Sequence, residues 1–424
     1  MIKIRILYLI VLLSVVPLAV FAQQNTLDSL INQAISVSPK LKMLQFKYSS
    51  AESNVNANSN LPDPMLTLGL MNLPTNSFSF TQEPMTGKII GLSQAIPFPG
   101  KLGSMAHVSE KGAEIVKQEI DDARNEIVKN VSQNYYELIF VRKAIDVANE
   151  NLKLLNEISK VVRTSYKVAK ASQQNLFKVE LEITNLNNKI DELKNKENSI
   201  TAMINAQLLR SQEVPVFTDS LPVIQYSKFS QKELDSLAVQ NRPFLIGIQL
   251  TRQKAELQEK LAKYDYLPNF NISVQYSQRD RIAKTNTPLA DFASFMVGIS
   301  LPLNYGGKVS SKVEETEAMQ DMYQEQYNLS LQMLNSNFGT AISKLSSLQN
   351  RIKLVEEAQL PQAQQTYSAA LSSYQVGQID FINVIDSQNK LYQVETNLYR
   401  LKTNYLKEIE ELKFLTGTSL PTGR

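Results

Sequence analysis

Leu27-Asp28-Ser29-Leu30 and Leu234-Asp235-Ser236-Leu237 are the same tetrapeptide. Each is followed by a proline, Pro39 or Pro243, at the same distance ahead of an Ala-Glu pair, Ala51-Glu52 or Ala255-Glu256. Later, Ser165-Tyr166 in the string SYKVAKASQQNL matches Ser373-Tyr374 in SYQVGQIDFINVIDSQNKL, and Ala169 stands where Gly377 stands. Self-similarity of this kind marks a supersecondary unit used more than once. The chain therefore reads as two tandem repeats, 23–212 and 232–424, joined by a segment at 213–231 that contains Pro215 and Pro222 and is expected to lie as a girdle outside the helices.

Within each repeat the hydrophobic period changes along the chain. The first repeat opens with short helices, Thr26 being a candidate N-cap and Pro39 a helix start. Strand-like segments follow at about 64–73 and 88–97, where Leu66, Leu68 and Leu70 alternate with Thr67, Gly69 and Met71, and Ile90, Leu92 and Ile96 with Gly91, Ser93 and Ala95. The second repeat does the same at about 268–278 and 292–303. There Phe270, Ile272, Val274 and Tyr276 alternate with Asn269, Asn271, Ser273, Gln275 and Ser277, and Phe295, Val297, Ile299, Leu301 and Leu303 with smaller or polar neighbours. Strands of about ten residues, apolar on one side and polar or small on the other, suit a barrel wall that faces lipid outside and water inside. Four strands cannot close such a barrel; three copies would supply twelve, with every backbone group paired.

Each strand pair ends in a Gly-Lys corner, Gly100-Lys101 or Gly307-Lys308, and then turns helical for the rest of the repeat. Heptad positions run through Val131, Leu138, Ile145 and Leu152 against Val141, Ala148, Leu155 and Val162, and return through Leu176, Ile183 and Ile190 against Val179, Leu186, Leu193 and Ile200. The second repeat carries Leu331, Phe338, Leu345 and Ile352 against Leu334, Ala341, Leu348 and Val355, then Val384, Leu391, Leu398, Tyr405 and Leu412. These are helical hairpins at about 102–210 and 308–416, with tips at Val168, Ala169, Lys170 and Ala171, and at Val376, Gly377, Gln378 and Ile379. A helical run of about 65 residues is a rod of roughly 100 Å, so the rods must pack side by side. Pro361 should kink or interrupt one of them.

Residues 1–22 have a basic start (Lys3, Arg5), an apolar run and a small-residue end at Ala22, the layout of a signal peptide removed after Ala22. Without it the chain is close to neutral, which gives no support for a nucleic-acid partner. There is no cysteine, which excludes disulfides, thiolate sites and an N-terminal lipidated Cys, and His107 is the single histidine. No catalytic constellation and no cofactor motif appears, so the chain is expected not to be an enzyme. Met65, Met71, Met85 and Met105 carry thioethers of the kind that can hold a soft cation, but their expected role is packing or loop filling.

The second repeat's Tyr374-x-Val376-Gly377, Val384-x-Asp386-x-Gln388-x-x-Leu391-Tyr392, Asn404-Tyr405-Leu406 and Gly417-Thr418 resemble the outer-membrane efflux family typified by TolC. Leu61-Pro62-Asp63-Pro64 and the stretch from Ser93 to Leu102 resemble its metal-exporting branch of CusC-like and CzcC-like channels. The resemblance implies an α+β membrane protein. In the family a homotrimer builds one twelve-stranded barrel in the outer membrane of a Gram-negative bacterium, continued by a helical tunnel across the periplasm. It also implies two partners, a periplasmic membrane-fusion adaptor and an inner-membrane pump, most often of the RND type. On the same ground Asp386 would lie at the periplasmic gate, with Asn383 in the neighbouring acidic position one turn away. Tyr374 matches half of a Tyr-Arg lock whose Arg position holds Ile379. Two other readings stay open here, an outer-membrane channel for type I protein secretion and a periplasmic coiled-coil adaptor.

Overall fold

The computed structural model describes residues 27–169 and 171–420. The leader at 1–22, the N-cap residue Thr26 and the tip residue Lys170 lie outside the described residues.

The duplication holds element by element. Helices α1 (Leu27–Val37) and α5 (Gln231–Asn241) have 11 residues each, and α2 (Pro39–Ser59) and α6 (Pro243–Lys263) have 21 each. Pro39 and Pro243 sit in the first turn of their helices, where a missing N–H breaks no helical bond and φ is already helical. Ser38 caps α2, its hydroxyl accepting from the Leu41 amide at 3.3 Å. Strands β1 (Met65–Met71) and β2 (Gly87–Ile96) come next in the first repeat, and β3 (Phe270–Gln278) and β4 (Phe292–Ile299) in the second. Then α3 (Lys101–Lys167) and α4 (Gln173–Gln207) form the first hairpin. The second consists of α7 (Lys308–Leu354), a π turn at Val355–Gln359, α8 (Leu360–Gln375) and α9 (Phe381–Thr416).

One of these bounds corrects the sequence reading. Strand β4 stops at Ile299, four residues short of Leu303: Pro302 has no N–H to give a ladder, and Leu301 and Leu303 stand 72% and 71% exposed beyond it. The interruption expected at Pro361 is a π turn immediately upstream. A proline cannot donate to the carbonyl four residues back, and widening the preceding turn is one way a helix continues past that gap.

The described residues divide into two compact units. One contains residues 131–224 and 358–403 together with α1. Its core runs along the hairpins: Ala148, Leu155, Ile158, Val162, Val179, Leu186, Ile190, Phe381, Val384 and Ile385 form one buried cluster. Most of the heptad residues of the chain are buried; Ile145, Leu152, Leu176, Ile183, Leu331, Leu348 and Leu391 are only half-buried. Residues 213–224 of the connecting segment lie against α3 in this unit. The Tyr135 hydroxyl accepts from the Asp219 amide at 2.8 Å, Arg142 donates to Thr218 at 2.9 Å, and Val216 is buried.

The other unit contains residues 38–130, 225–357 and 404–420, the whole sheet among them. The sheet is antiparallel with strand order β1-β2-β3-β4, so β1 and β4 are its free edges. At its base Asp265 accepts from Lys101 and from Lys312, both at 2.7 Å, so one carboxylate ties the start of α3 to the start of α7. Burial pushes that carboxyl up, but the two ammonium partners outweigh it and leave it below the usual carboxylate range. Gly100, at φ +91°, turns the first corner under Tyr264, whose hydroxyl lies 2.6 Å from where a Cβ would sit.

Candidate functional site

The register of the sheet decides what its faces are. Leu66 pairs with Leu92, Leu92 with Val274 and Val274 with Phe295; Leu68 pairs with Ile90, Ile90 with Tyr276, and Ile272 with Val297. Side chains alternate in a strand, so these residues, with Phe270, Ile96 and Ile299, share one face. The opposite face carries Thr67, Gly69, Gly91, Ser93, Asn271, Ser273, Gln275, Ser294 and Gly298, with Met65, Met71, Ile89 and Met296 among them. On the apolar face exposure runs from 47% at Tyr276 to 70% at Leu68 among the residues left most open, with Phe270 and Ile272 half-buried. Soluble chains seldom leave so much contiguous apolar surface in contact with water.

Beyond the strands the two connecting loops interlock. The Ala283 amide donates to the Thr81 carbonyl at 3.0 Å, Arg279 donates to the Pro84 carbonyl at 3.0 Å, and the Arg279 guanidinium stacks on Phe292 at 3.5 Å. Tyr276 donates to Asp291, so the last aromatic of the apolar face has a polar end fixed at the loop. Nothing in the sequence period points to Arg279, since its guanidinium is held by backbone carbonyls, Ala290 in its own loop and Pro84 in a loop nearly two hundred residues away.

The hairpin tips are built alike. Ala169 donates its amide to the Tyr166 carbonyl and Gly377 to that of Tyr374, each at 3.0 Å, with φ +58° and +76°. Both are left-handed C-terminal caps, a conformation glycine adopts freely and alanine adopts at a cost. Val168, Ala169, Val376, Gly377 and Gln378 are exposed, while Ala171 and Ile379 are half-buried. Tyr374 turns inward, its ring 5.2 Å from that of Phe381, and burial raises its phenol. Asn383 and Asp386, one turn apart, are exposed on the side of α9 away from the buried Val384, Ile385 and Gln388. Gln388 is 1% exposed and donates to the Asn151 side chain on α3, a polar tie between the two hairpins inside an apolar core. Within the motif of the second repeat, then, Asp386 faces out and Gln388 faces in.

The family model for the outer membrane efflux protein matches residues 30–196 and 234–418. The chain belongs to this family. Its two matched stretches are the two repeats, and the outer-membrane localisation and efflux role that the family name carries hold for the chain. Among curated relatives, the cation efflux system protein CusC of Escherichia coli K12 is 20% identical over 94% of this chain and 87% of its own length. The cobalt-zinc-cadmium resistance protein CzcC of Cupriavidus metallidurans is 20% identical over 70% of this chain and 69% of its own length. The crystal structure of the outer membrane protein VceC from Vibrio cholerae superposes with a TM-score of 0.77 at 16% identity, covering 93% of this chain and 96% of VceC.

Membership of the efflux family gives the apolar sheet face its setting: among the described residues no helix is long and apolar enough to cross a membrane, and the sheet is the element patterned to do so. It also accounts for Gly417 in the closing motif. That residue lies at φ +73°, with a Cβ position only 2.5 Å from the Asn241 carbonyl oxygen, so the end of α9 closes on the α5–α6 junction through backbone alone. The carboxylate clamp at Asp265 was invisible to the motif reading, although both of its lysines follow the glycine corners closely enough to have suggested a shared anion.

Proposed function

We propose that the chain is the exit duct of a tripartite efflux system. Three copies close their four-stranded sheets into a twelve-stranded barrel in the outer membrane, and the hairpins line a periplasmic conduit for small molecules or metal ions delivered by an adaptor and an inner-membrane pump. The observation that carries this is the open sheet with one face that is apolar apart from Gln94 within it and Lys88 and Gln278 at its loop end. Each copy ends in two unpaired edges, β1 and β4, which lipid cannot satisfy, and closure with further copies satisfies them. The names of CusC and CzcC, both of cation systems, favour metal cations as the cargo.

In this reading Phe270, Ile272, Val274 and Tyr276 face lipid, and the tips at 168–171 and 376–379 receive the adaptor. Asp386, with Asn383 beside it, rings the periplasmic gate, and Tyr374 braces that gate from within the hairpin. Purified from the outer membrane in detergent, the protein is expected to run as a trimer by native mass spectrometry and to unfold to monomers only on heating in SDS. A monomer that never shows heat-modifiable migration would overturn the duct.

A further inference from the structure

The two tips of one chain carry opposite charge. Residues 158–179, around the first tip, hold Lys160, Arg163, Lys167, Lys170 and Lys178 and no acidic residue. Residues 366–387, around the second, hold Asp380 and Asp386 and no basic one. Arg163 is answered by Glu180 at 2.9 Å. Among the described residues, Lys160, Lys167 and Lys178 make no ion pair, and neither Asp380 nor Asp386 reaches across to them.

Helix electrostatics explains only part of this. Lys167 lies in the last turn of α3, where the helix dipole favours a cation. Lys178 gains nothing of that kind near the start of α4, whose first turn lacks the acidic residue usual there. Lys160, Arg163 and Lys167 follow one another at helical spacing, and with only Arg163 paired, to Glu180, their repulsion is a standing cost. Beside these lysines in the sequence stand apolar side chains left exposed on the same hairpin, Val161 on α3, Val168 just past its end and Phe177 on α4. Among the described residues of the second tip, the one large apolar side chain so exposed is Val376. Unpaired cations around exposed apolar groups are the complement of a surface that offers carboxylates around an apolar centre.

We propose that the first-repeat tip is the charged half of the docking surface, and that the periplasmic protein seated on it presents acidic side chains to Lys160, Lys167 and Lys178 while burying Val161, Val168 and Phe177. This rests on the reading of the tips as the adaptor's landing site and assigns the chemistry of that contact, leaving the second tip to a neutral, backbone-led one.

The test uses the full chain in its native host and growth in a compound to which loss of the gene sensitises the cell. The triple variant Lys160→Glu/Lys167→Glu/Lys178→Glu is expected to lose at least tenfold in tolerated concentration while keeping trimer yield in the outer membrane. The Lys→Arg triple should keep tolerance. Suppressors of the Glu triple should exchange Asp or Glu for Lys or Arg in a separate periplasmic protein. Should the Glu triple assemble poorly, the Lys→Gln triple replaces it, with a smaller loss expected. Full tolerance in the charge-removed variants overturns the proposal, as does equal loss in the Arg triple. Suppressors confined to Asp380 or Asp386 would instead make the contact one between copies of this chain. Sedimentation of the purified trimer with phosphatidylglycerol vesicles, abolished by the Glu triple, would make it a lipid contact; either result also overturns the proposal. Gly377→Val separates the two levels: if it loses export while the lysine variants do not, tip docking stands and the acidic partner falls, and if none loses export, tip docking falls as well.

Discussion

At Gly377 and Gly417 the same backbone conformation has different consequences, because only one of them is crowded. A Cβ at Gly377 would meet nothing within 4 Å, so a substitution there costs the left-handed backbone penalty alone, about 1–2 kcal/mol and more for a β-branched residue. Gly377→Val is therefore expected to leave trimer and membrane yield near the parent's while export falls. At Gly417 the same methyl would lie 2.6 Å from the Arg242 Cα, and the α5–α6 junction has to move. Gly417→Ala should cut the amount of folded trimer recovered from the outer membrane, and an unchanged yield would show that the junction yields freely. Asp265 adds a pH dependence whose sign follows from its partners. Its folded carboxyl is held low, so its contribution is complete above the ordinary value of about 3.9 and is lost as pH falls through that value towards the folded one. Thermal midpoints of the purified protein between pH 3 and 6 should fall less steeply on the acid side for Asp265→Asn than for the parent.

Among the elements, the strands make the sharpest claim, since in the proposed barrel neighbouring residues on one strand would meet different solvents. Val274 sits between Leu92 and Phe295 on the apolar face, and Ser273 between Ser93 and Met296 on the other. Arginine at Val274 is expected to impair assembly by about 2–4 kcal/mol if that position lies near the bilayer midplane. Arginine at Ser273 keeps its charge in water and should be tolerated. Outer-membrane trimer yield of the two variants is the comparison, and equal losses would contradict the alternation. The long helices make a weaker claim, because several of their apolar positions are only half-buried in a single chain. In the proposed trimer those half-exposed stripes would be available for packing by neighbouring hairpins.

At the scale of the whole molecule the prediction concerns the gate. In the proposed trimer, three Asp386 carboxylates would face one another at the gate, where they would attract cations and repel each other. Single-channel recordings with divalent cation on the periplasmic side are expected to show block and cation selectivity that Asp386→Asn reduces and Asn383→Asp strengthens; recordings unchanged by Asp386→Asn would place it away from the pore. What the sequence determined by itself was everything written in short-range period. The alternation of Phe270 to Tyr276, the heptads from Val131 to Leu412, the prolines that open α2 and α6 and the glycine turn at Gly377 each depend on neighbours a few residues away. The duplication was legible for the same reason, being a comparison of the chain with itself. Tertiary structure alone decided which residues from distant segments meet. It set Leu66, Leu92, Val274 and Phe295 in one row, put Asp265 between Lys101 and Lys312, tied Gln388 to Asn151, and forced Ala169 into the left-handed turn that its glycine counterpart takes freely. Those contacts follow from how long helices and paired strands pack, a balance of burial and geometry summed over many residues that no local pattern encodes.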